Sequence, residues 1–447
     1  MLSTEGPRSA VGDVNGDGLE DLFVCGASGQ AGSLLIQKLD GSFSGSNQQL
    51  FEQDKVSEDT DCELFDADGD GDLDLYVASG GNEFSSSSSS LADRLYLNNG
   101  RGRYTRSPQI LPRGRYESTA CVRAADFDMD GVTELFVGLR LRPFLYGVPV
   151  DGYLLENDGK GNFTNVSEQL APGLKEVGML RDMQWEDVDG DGDPDMILAG
   201  DWMPLKIFIN EKGSFRELQD AFASASTSGW WNCIATGDFD GDGDMDFVAG
   251  NHGLNSRFKA SAERPVTMYV NDFDRNGSAE QLITVFEGDS AYPLALKHDL
   301  TRQIPALLKK YPRYELYKEQ TITDIFAPEQ LANAIHLEAA RLESALFFND
   351  GSGHFTMAPL PVEVQFSTVM AAETGDFNGD GKIDLLLGGN LYHVKPEVGR
   401  YDASYGHFLE GDGAGGFREI PPRNSGLRLE GEVRDIQRIQ TLSLIHI

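Results

Sequence analysis

Seven times along this chain of 447 residues the same nine-residue pattern returns. It places Asp, Asn or Glu at positions 1, 3, 5 and 9, and Gly at position 6. The copies are DVNGDGLED from Asp13, DADGDGDLD from Asp66, DFDMDGVTE from Asp126, DVDGDGDPD from Asp187, DFDGDGDMD from Asp238, DFDRNGSAE from Asp272 and DFNGDGKID from Asp376. The first five start 53, 60, 61 and 51 residues apart, and the next gaps are 34 and 104. Self-similarity at such a period means a solenoid, a propeller or an array of one small unit.

Short oxygen-bearing side chains at positions 1, 3 and 5 of a tight loop converge, and the Gly at position 6 permits the sharp turn. Position 7 offers a backbone carbonyl, so its side chain is free to vary: Leu19, Asp72, Val132, Asp193, Asp244, Ser278 and Lys382. Position 9 returns a carboxylate. So many carboxylates in one loop are costly unless a cation neutralises them. A hard cation such as Ca²⁺ takes six to eight oxygens at ~2.3–2.6 Å. Up to seven Ca²⁺ ions are therefore expected. The first four sites are Asp13, Asn15, Asp17 and Asp21; Asp66, Asp68, Asp70 and Asp74; Asp126, Asp128, Asp130 and Glu134; and Asp187, Asp189, Asp191 and Asp195. The remaining three are Asp238, Asp240, Asp242 and Asp246; Asp272, Asp274, Asn276 and Glu280; and Asp376, Asn378, Asp380 and Asp384. In the loop at Asp272, Arg275-Asn276 replaces the usual Gly-Asp, which predicts weaker binding there.

An EF-hand needs Glu at position 12 and flanking helices. Here position 12 is apolar, as in Val77, Val137, Leu198 and Leu387. Short apolar runs flank each loop, LYVASGG and MILAGDW after it, CELF and CIATG before it. Further hairpins follow in LYLNNGRGRYT, YLLENDGKGNFT, KIFINEKGSFRE and LFFNDGSGHFT, where Asn-Gly and Asp-Gly turns join alternating runs. Four antiparallel strands per unit make a propeller blade. The fold class is all-β, a β-propeller of four-stranded blades, with seven blades expected and eight the alternative.

The blades resemble the FG-GAP/VCBS repeats of integrin α-subunit propellers, and more closely those of bacterial proteins of the cartilage-acidic-protein-like group. The resemblance spans residues 8–425. Blades are read at about 8–50, 58–110, 117–172 and 178–222, with a fifth from Trp230 and the last at 365–422. Residues 294–343 carry apolar positions at helical spacing, interrupted by Pro305, Pro312 and Pro328, and read as a helical insertion within the sixth blade. Residues 426–440 read as the start of a further blade, and 441–447 as a non-native tail. The first repeat begins near Met1 with no leader before it, so the chain reads as a fragment.

A net charge of −35 argues against nucleic acid and against anionic membrane surfaces, and no run of ~18 apolar residues crosses a bilayer. Cys25, Cys62, Cys121 and Cys233 have no CxxC spacing and read as small buried hydrophobes, a disulfide being the alternative. Calcium sites of extracellular modules bind at about 0.1–1 mM. Cytosolic calcium leaves such sites empty, so an extracellular, periplasmic or cell-surface protein is expected.

The loops on the face away from the acidic turns are rich in aromatic and polar residues. The resemblance implies that this is the binding face. The candidates there are Trp202, Asn251 and His252, with Tyr392, His393, Arg400, Tyr401 and Asp402 from one dense loop. Trp202 packing between blades and His393 satisfying a nearby carbonyl are the structural alternatives. The function expected is a non-catalytic calcium-binding propeller for a protein or glycan ligand. A polysaccharide lyase or hydrolase, and a structural spacer of a larger surface protein, are the alternatives.

Overall fold

In the computed structural model, residues 6–112, 116–222, 225–395 and 398–441 are described, together with the backbone of 445–446. The first blade pairs Ser9–Gly12, Asp21–Val24, Ser33–Gln37 and Phe43–Ser46 in chain order. The same order of four antiparallel strands repeats in the blades that open at Glu58–Phe65, Ser118–Ala125, Met179–Glu186, Cys233–Gly237 and Val369–Gly375. The chain is thus a β-propeller, with six complete blades among the described residues.

The second strands of blades two to six are buried on both sides, which is why their sequences are apolar without alternation, whereas Asp21–Val24 of the first blade alternates buried and half-buried positions. Every residue of Asp74–Gly80, Glu134–Leu141 and Asp195–Met203 is buried. The core is a series of clusters between adjacent blades. Phe23 and Phe51 of the first pack on Tyr96 of the second; Phe136 of the third lies with Leu198 and Phe208 of the fourth. The four cysteines are buried and free, as small core residues.

The first strands contact one another in succession. They bury charge, which demands partners. Arg8 Nη1 reaches Asp182 at 3.1 Å and Asp61 at 3.3 Å, while Arg123 reaches Asp61 at 2.7 Å and Asp182 at 2.6 Å. This square ties the first four blades together. Residues 426–440, read from sequence as the start of a further blade, run from the sixth blade to the first. Val433 N–H donates to the Gly389 carbonyl at 2.9 Å, and Asp435 accepts from the Ser9 amide at 2.8 Å and its hydroxyl at 2.7 Å. Of the tail at 441–447, residues 442–444 and 447 lie outside the described residues.

One sequence expectation is corrected. The insertion lies in the fifth blade, between Asp246–Gly250 and Ala345–Asn349, not in the sixth. It is also not wholly helical. It holds its own antiparallel sheet of Val266–Asn271, Glu280–Glu287, Ser290–Pro293 and Ile335–Ala339, and four short helices between Lys297 and Ala332. The acidic loop at Asp272 joins two strands of this inserted sheet, so one copy of the pattern belongs to no blade. The insert has a core of its own, with Phe273, Leu282, Leu300, Tyr311 and Phe326.

Candidate functional site: acidic loops and an opposed cleft

The six acidic loops of the blades each join a first to a second strand and lie on one face, while the loop at Asp272 joins two strands of the insert. Their backbone is fixed by their own side chains. Asp66 Oδ1 accepts the Gly69 amide at 2.8 Å and Oδ2 accepts the Gly71 amide at 3.0 Å. Asp13, Asp187, Asp238 and Asp376 do the same. At position 5, Asp17, Asp70, Asp130, Asp191, Asp242, Asn276 and Asp380 each accept the amide two residues on.

Position 9 is the buried anchor. Asp21, Asp74, Asp195, Asp246 and Asp384 each accept the position-2 amide on one oxygen and an amide from the third strand on the other. Glu134 and Glu280 accept the position-2 amide likewise. Burial, with the neighbouring carboxylates adding to it, pushes Asp74 and Asp195 up to about 7 and Glu134 up to about 8.

Among the described residues, five groups of three carboxylates place one oxygen each within 4.8 Å of one another. They are Asp66, Asp68 and Asp70; Asp126, Asp128 and Glu134; Asp187, Asp189 and Asp195; Asp238, Asp240 and Asp246; and Asp272, Asp274 and Glu280. The loops at Asp13 and Asp376 carry Asn15 and Asn378 at position 3 and form no such carboxylate triplet. The position-3 oxygens Oδ1 of Asp68, Asp189 and Asp274 are buried and accept no hydrogen bond from the described residues. An orphaned buried carboxylate oxygen beside two more carboxylates fits a hard cation bound through oxygen. These residues would hold such an ion, and it would neutralise their mutual repulsion. Position 7 is less passive than its variability implies. Asp72 Oδ1 is buried without a partner, and a Cβ on Gly351 would lie 2.5 Å from Asp244 Oδ2.

Position 4 is left-handed in all seven loops, with φ of 74–80° at Gly16, Gly69, Gly190, Gly241 and Gly379. Met129 and Arg275 occupy the same conformation at φ 61° and 60°. Gly190→Ala is expected to cost about 1–2 kcal/mol of left-handed strain, since nothing lies within 4 Å to clash. Met129→Ala already bears that strain and should change stability by less than ~0.5 kcal/mol. Chemical denaturation of both variants decides it; equal costs would exclude backbone strain as the cause.

A conserved geometry absent from the sequence reading stitches the loops of adjacent blades. Asn98, Asn157, Asn210 and Asn349 stand at the ends of the third strands of blades two to five. Asn210 Nδ2 donates to the Pro194 carbonyl of its own loop at 3.1 Å and to the Phe127 carbonyl of the preceding blade's loop at 2.7 Å. The other three make the same pair of bonds. The signal was visible as Asn in LYLNN, LLEND, IFINE and LFFND. Asn210→Ala leaves two carbonyls short of a donor and should cost about 2–4 kcal/mol, read as a lower denaturation midpoint. A cost under ~1 kcal/mol would show that water replaces the stitch.

The opposite face carries a cleft of about 550 Å³ between the propeller and the inserted sheet. Gln281, Ile283, Leu294 and Asp299 of the insert form one wall, and Leu391, His393, Val394, Lys395 and Tyr401 another. Four of the eight candidate ligand residues line it: Trp202, His252, His393 and Tyr401. Arg400 and Asp402 line an adjoining hollow of about 350 Å³, which Tyr401 shares. The Tyr392 ring lies under Arg400, 5.0 Å from the guanidinium carbon, and lines neither. Asn251 is fully buried; its carboxamide accepts the Trp230 and His252 amides and donates to the Arg341 carbonyl, so it builds the loop instead of facing the cleft.

Trp230, Phe258 and Arg181 were not among the candidates read from the sequence. Trp230 stands edge-on to Trp202, Phe258 and His252, at centroid distances of 4.9, 5.0 and 5.1 Å, and His252 is 5.0 Å from Tyr401. Beneath this aromatic group Asp201 accepts from Arg140 at 2.8 Å, Arg181 at 3.0 Å and Tyr146 at 3.1 Å. Burial alone would raise its pKa, but the two arginines pull it down to about 2. Burial pushes His252 down to about 4, so its imidazole is neutral at physiological pH. The Trp202 backbone is left-handed, φ 58°, as is Asn390 at φ 80°, and such strained residues concentrate at ligand sites.

No curated protein sequence matches this chain. Among solved structures it is similar to an Agrocybe aegerita lectin described as recognising non-reducing terminal N-acetylglucosamine. That match has 13% identity and TM-score 0.48, covering 93% of this chain and 79% of the lectin. It is also similar to a V. cholerae biofilm matrix protein, at 11% identity and TM-score 0.35, over 96% of this chain and 81% of that one. A rhamnogalacturonan lyase of Bacillus licheniformis matches at 12% identity and TM-score 0.37, over 85% and 69%. The FG-GAP-like repeat model matches residues 13–77, 66–137 and 187–249. With the loop geometry and the blade order, the chain is a β-propeller in which residues 13–137 and 187–249 match FG-GAP-like repeats.

Proposed function

We propose that this chain is a non-catalytic, calcium-binding propeller, exported or displayed at a cell surface, that takes a glycan or protein ligand in its cleft. Calcium suits the loops because every donor is oxygen and the backbone turn pre-forms the site. The ions stiffen one face while the other, framed by the insert, receives the ligand. The observation that carries the binding reading lies in the cleft wall. Trp230 Nε1 and His252 Nε2 are buried and have no hydrogen-bond partner among the described residues. Buried polar atoms are rarely left so, and a ligand supplies the missing partner.

The test is a screen of glycans and glycoproteins against calcium-loaded protein, repeated with His252→Ala plus Tyr401→Ala. Binding that is lost in the double variant, with calcium-dependent melting unchanged, supports the cleft. Binding that survives it overturns this placement.

A further inference from the structure

Building on that reading of the cleft, we propose that its ligand is a protein segment that lays an apolar side chain and its flanking peptide groups into the cleft. Charge points first to an uncharged guest, because the charged side chains around the cleft pair with one another. Arg140 and Arg181 hold Asp201 at 2.8 and 3.0 Å, Lys395 reaches Asp299 at 3.5 Å, and Arg434 reaches Glu432 at 2.9 Å. Arg257 stands at the edge, its guanidinium 5.5 Å from the Phe258 ring. The polar side chains are engaged as well. Asn232 donates to the Val369 carbonyl at 2.9 Å, Thr368 to the His252 carbonyl at 3.2 Å, and the Trp202 indole to the Tyr146 hydroxyl at 3.1 Å. A sugar brings several hydroxyls, each costly to bury without a partner, and these groups have already met theirs.

The walls are apolar. Ile283, Leu294 and Leu296 come from the insert, and Leu391, Val394 and Val398 from the loop of the sixth blade. Trp230 Nε1 and His252 Nε2 remain, buried and without a partner among the described residues. A peptide group carries one acceptor and one donor. Its carbonyl answers the indole N–H, and the neutral imidazole finds a counterpart in it in either tautomer. Two hollows of about 350 Å³ each continue the cleft. One shares Arg257, Val398 and Tyr401 with it and adds Phe366; the other shares Leu296 and adds Tyr314 and Tyr317. Leu296, Tyr314 and Phe366 are exposed, and apolar residues left exposed together around a concave site mark a protein interaction. An extended segment sets alternate side chains into successive pockets while its backbone makes the hydrogen bonds.

The experiment titrates calcium-loaded protein with a positional-scanning set of blocked, uncharged hexapeptides and, in parallel, with neutral and uronic-acid trisaccharides. Calorimetry and the fluorescence of Trp202 and Trp230, which line the site, read the binding. Peptides with Leu, Ile or Phe at one central position are expected to bind, and those with Ser there to bind about ten- to a hundredfold more weakly, the range for burying one such side chain. Exchanging the flanking amide for an ester removes one N–H and should cost a further factor of about two to ten. Added salt should change nothing. Leu296→Ser removes an exposed apolar wall residue and leaves a favourable cap before the helix Lys297–Gln303. It should keep the calcium-dependent melting and weaken the peptide about three- to tenfold. Equal binding of Leu and Ser peptides, or binding that salt abolishes, would overturn the apolar anchor. Saccharide binding that is lost in the His252→Ala plus Tyr401→Ala variant, with no peptide bound, would overturn the protein segment and leave the cleft standing. Peptide binding that survives that double variant, or failure of every probe, would overturn the proposal together with the cleft reading.

Discussion

Chelation of calcium should lower the melting temperature of this protein by on the order of 10–15 °C. The estimate follows from linkage. Each ion bound only by the folded state adds about 2.7 kcal/mol at a hundredfold excess over its dissociation constant. Five carboxylate triplets are present, and a chain this long loses roughly 0.9 kcal/mol per degree near its midpoint. The effect should depend on pH, with a definite sign. The folded pKa values of Asp74, Asp195 and Glu134 are raised to about 7, 7 and 8, and those of Asp21 and Asp246 to about 6, all by burial first. The ordinary value is about 4. A raised folded pKa contributes stability that is fully present below the unfolded value and is lost as pH rises through the folded one. Calcium-free protein should therefore weaken between about pH 4 and 8. Calcium holds the same carboxylates ionised, so its protection should grow over that window. Melting curves in calcium and in chelator at both ends decide the matter. Coincident curves at neutral pH would sink the metal assignment.

Removing Asp182 should be the costliest single change at the axis, about 3–5 kcal/mol. Asp182→Ala leaves Arg8 and Arg123 converging on Asp61 alone, and strips the Ile234 amide of its acceptor at 2.9 Å. Asp182→Asn keeps an acceptor for that amide and separates the charge from the hydrogen bond. The pH dependence runs opposite to that of the loops. Burial alone would raise the Asp182 pKa, but Arg8 and Arg123 hold it below the ordinary carboxylate value. A depressed pKa contributes stability present above about pH 4 and lost as pH falls through the folded value. The gap between wild type and variant should narrow on acidification. Denaturation in saturating calcium measures it, and a loss below ~1 kcal/mol would show that water already screens the square.

The acidic loops and the hairpins were legible in the sequence because each is local. Four side chains and a glycine within nine residues decide a loop such as Asp66–Asp74, and the Asn-Gly turn of LYLNNG decides a hairpin. The second strands were legible because burial on both faces writes an unbroken apolar run. The place of the insert was not. The loop at Asp272 obeys the same local rules as the others, so nothing within it tells that its strands pair with Ser290–Pro293 and Ile335–Ala339 instead of entering a blade.

By itself, then, the sequence determined the repeat, its β-strand units, its oxygen-rich loops and the face from which aromatic loops project. Only the tertiary structure decided which of those aromatics meet. Trp202, His252 and Tyr401 share one cleft across nearly two hundred residues of chain, while Asn251, next to His252, turns inward and is consumed by backbone groups. The Arg8–Asp182 bond spans 174 positions, and the asparagine stitches span 83 to 161 between blades. The physical reason is that a loop closes through near neighbours, whose spacing the chain itself sets. An axis, a stitch or a cleft closes through distant residues, and their meeting depends on the order and packing of whole blades.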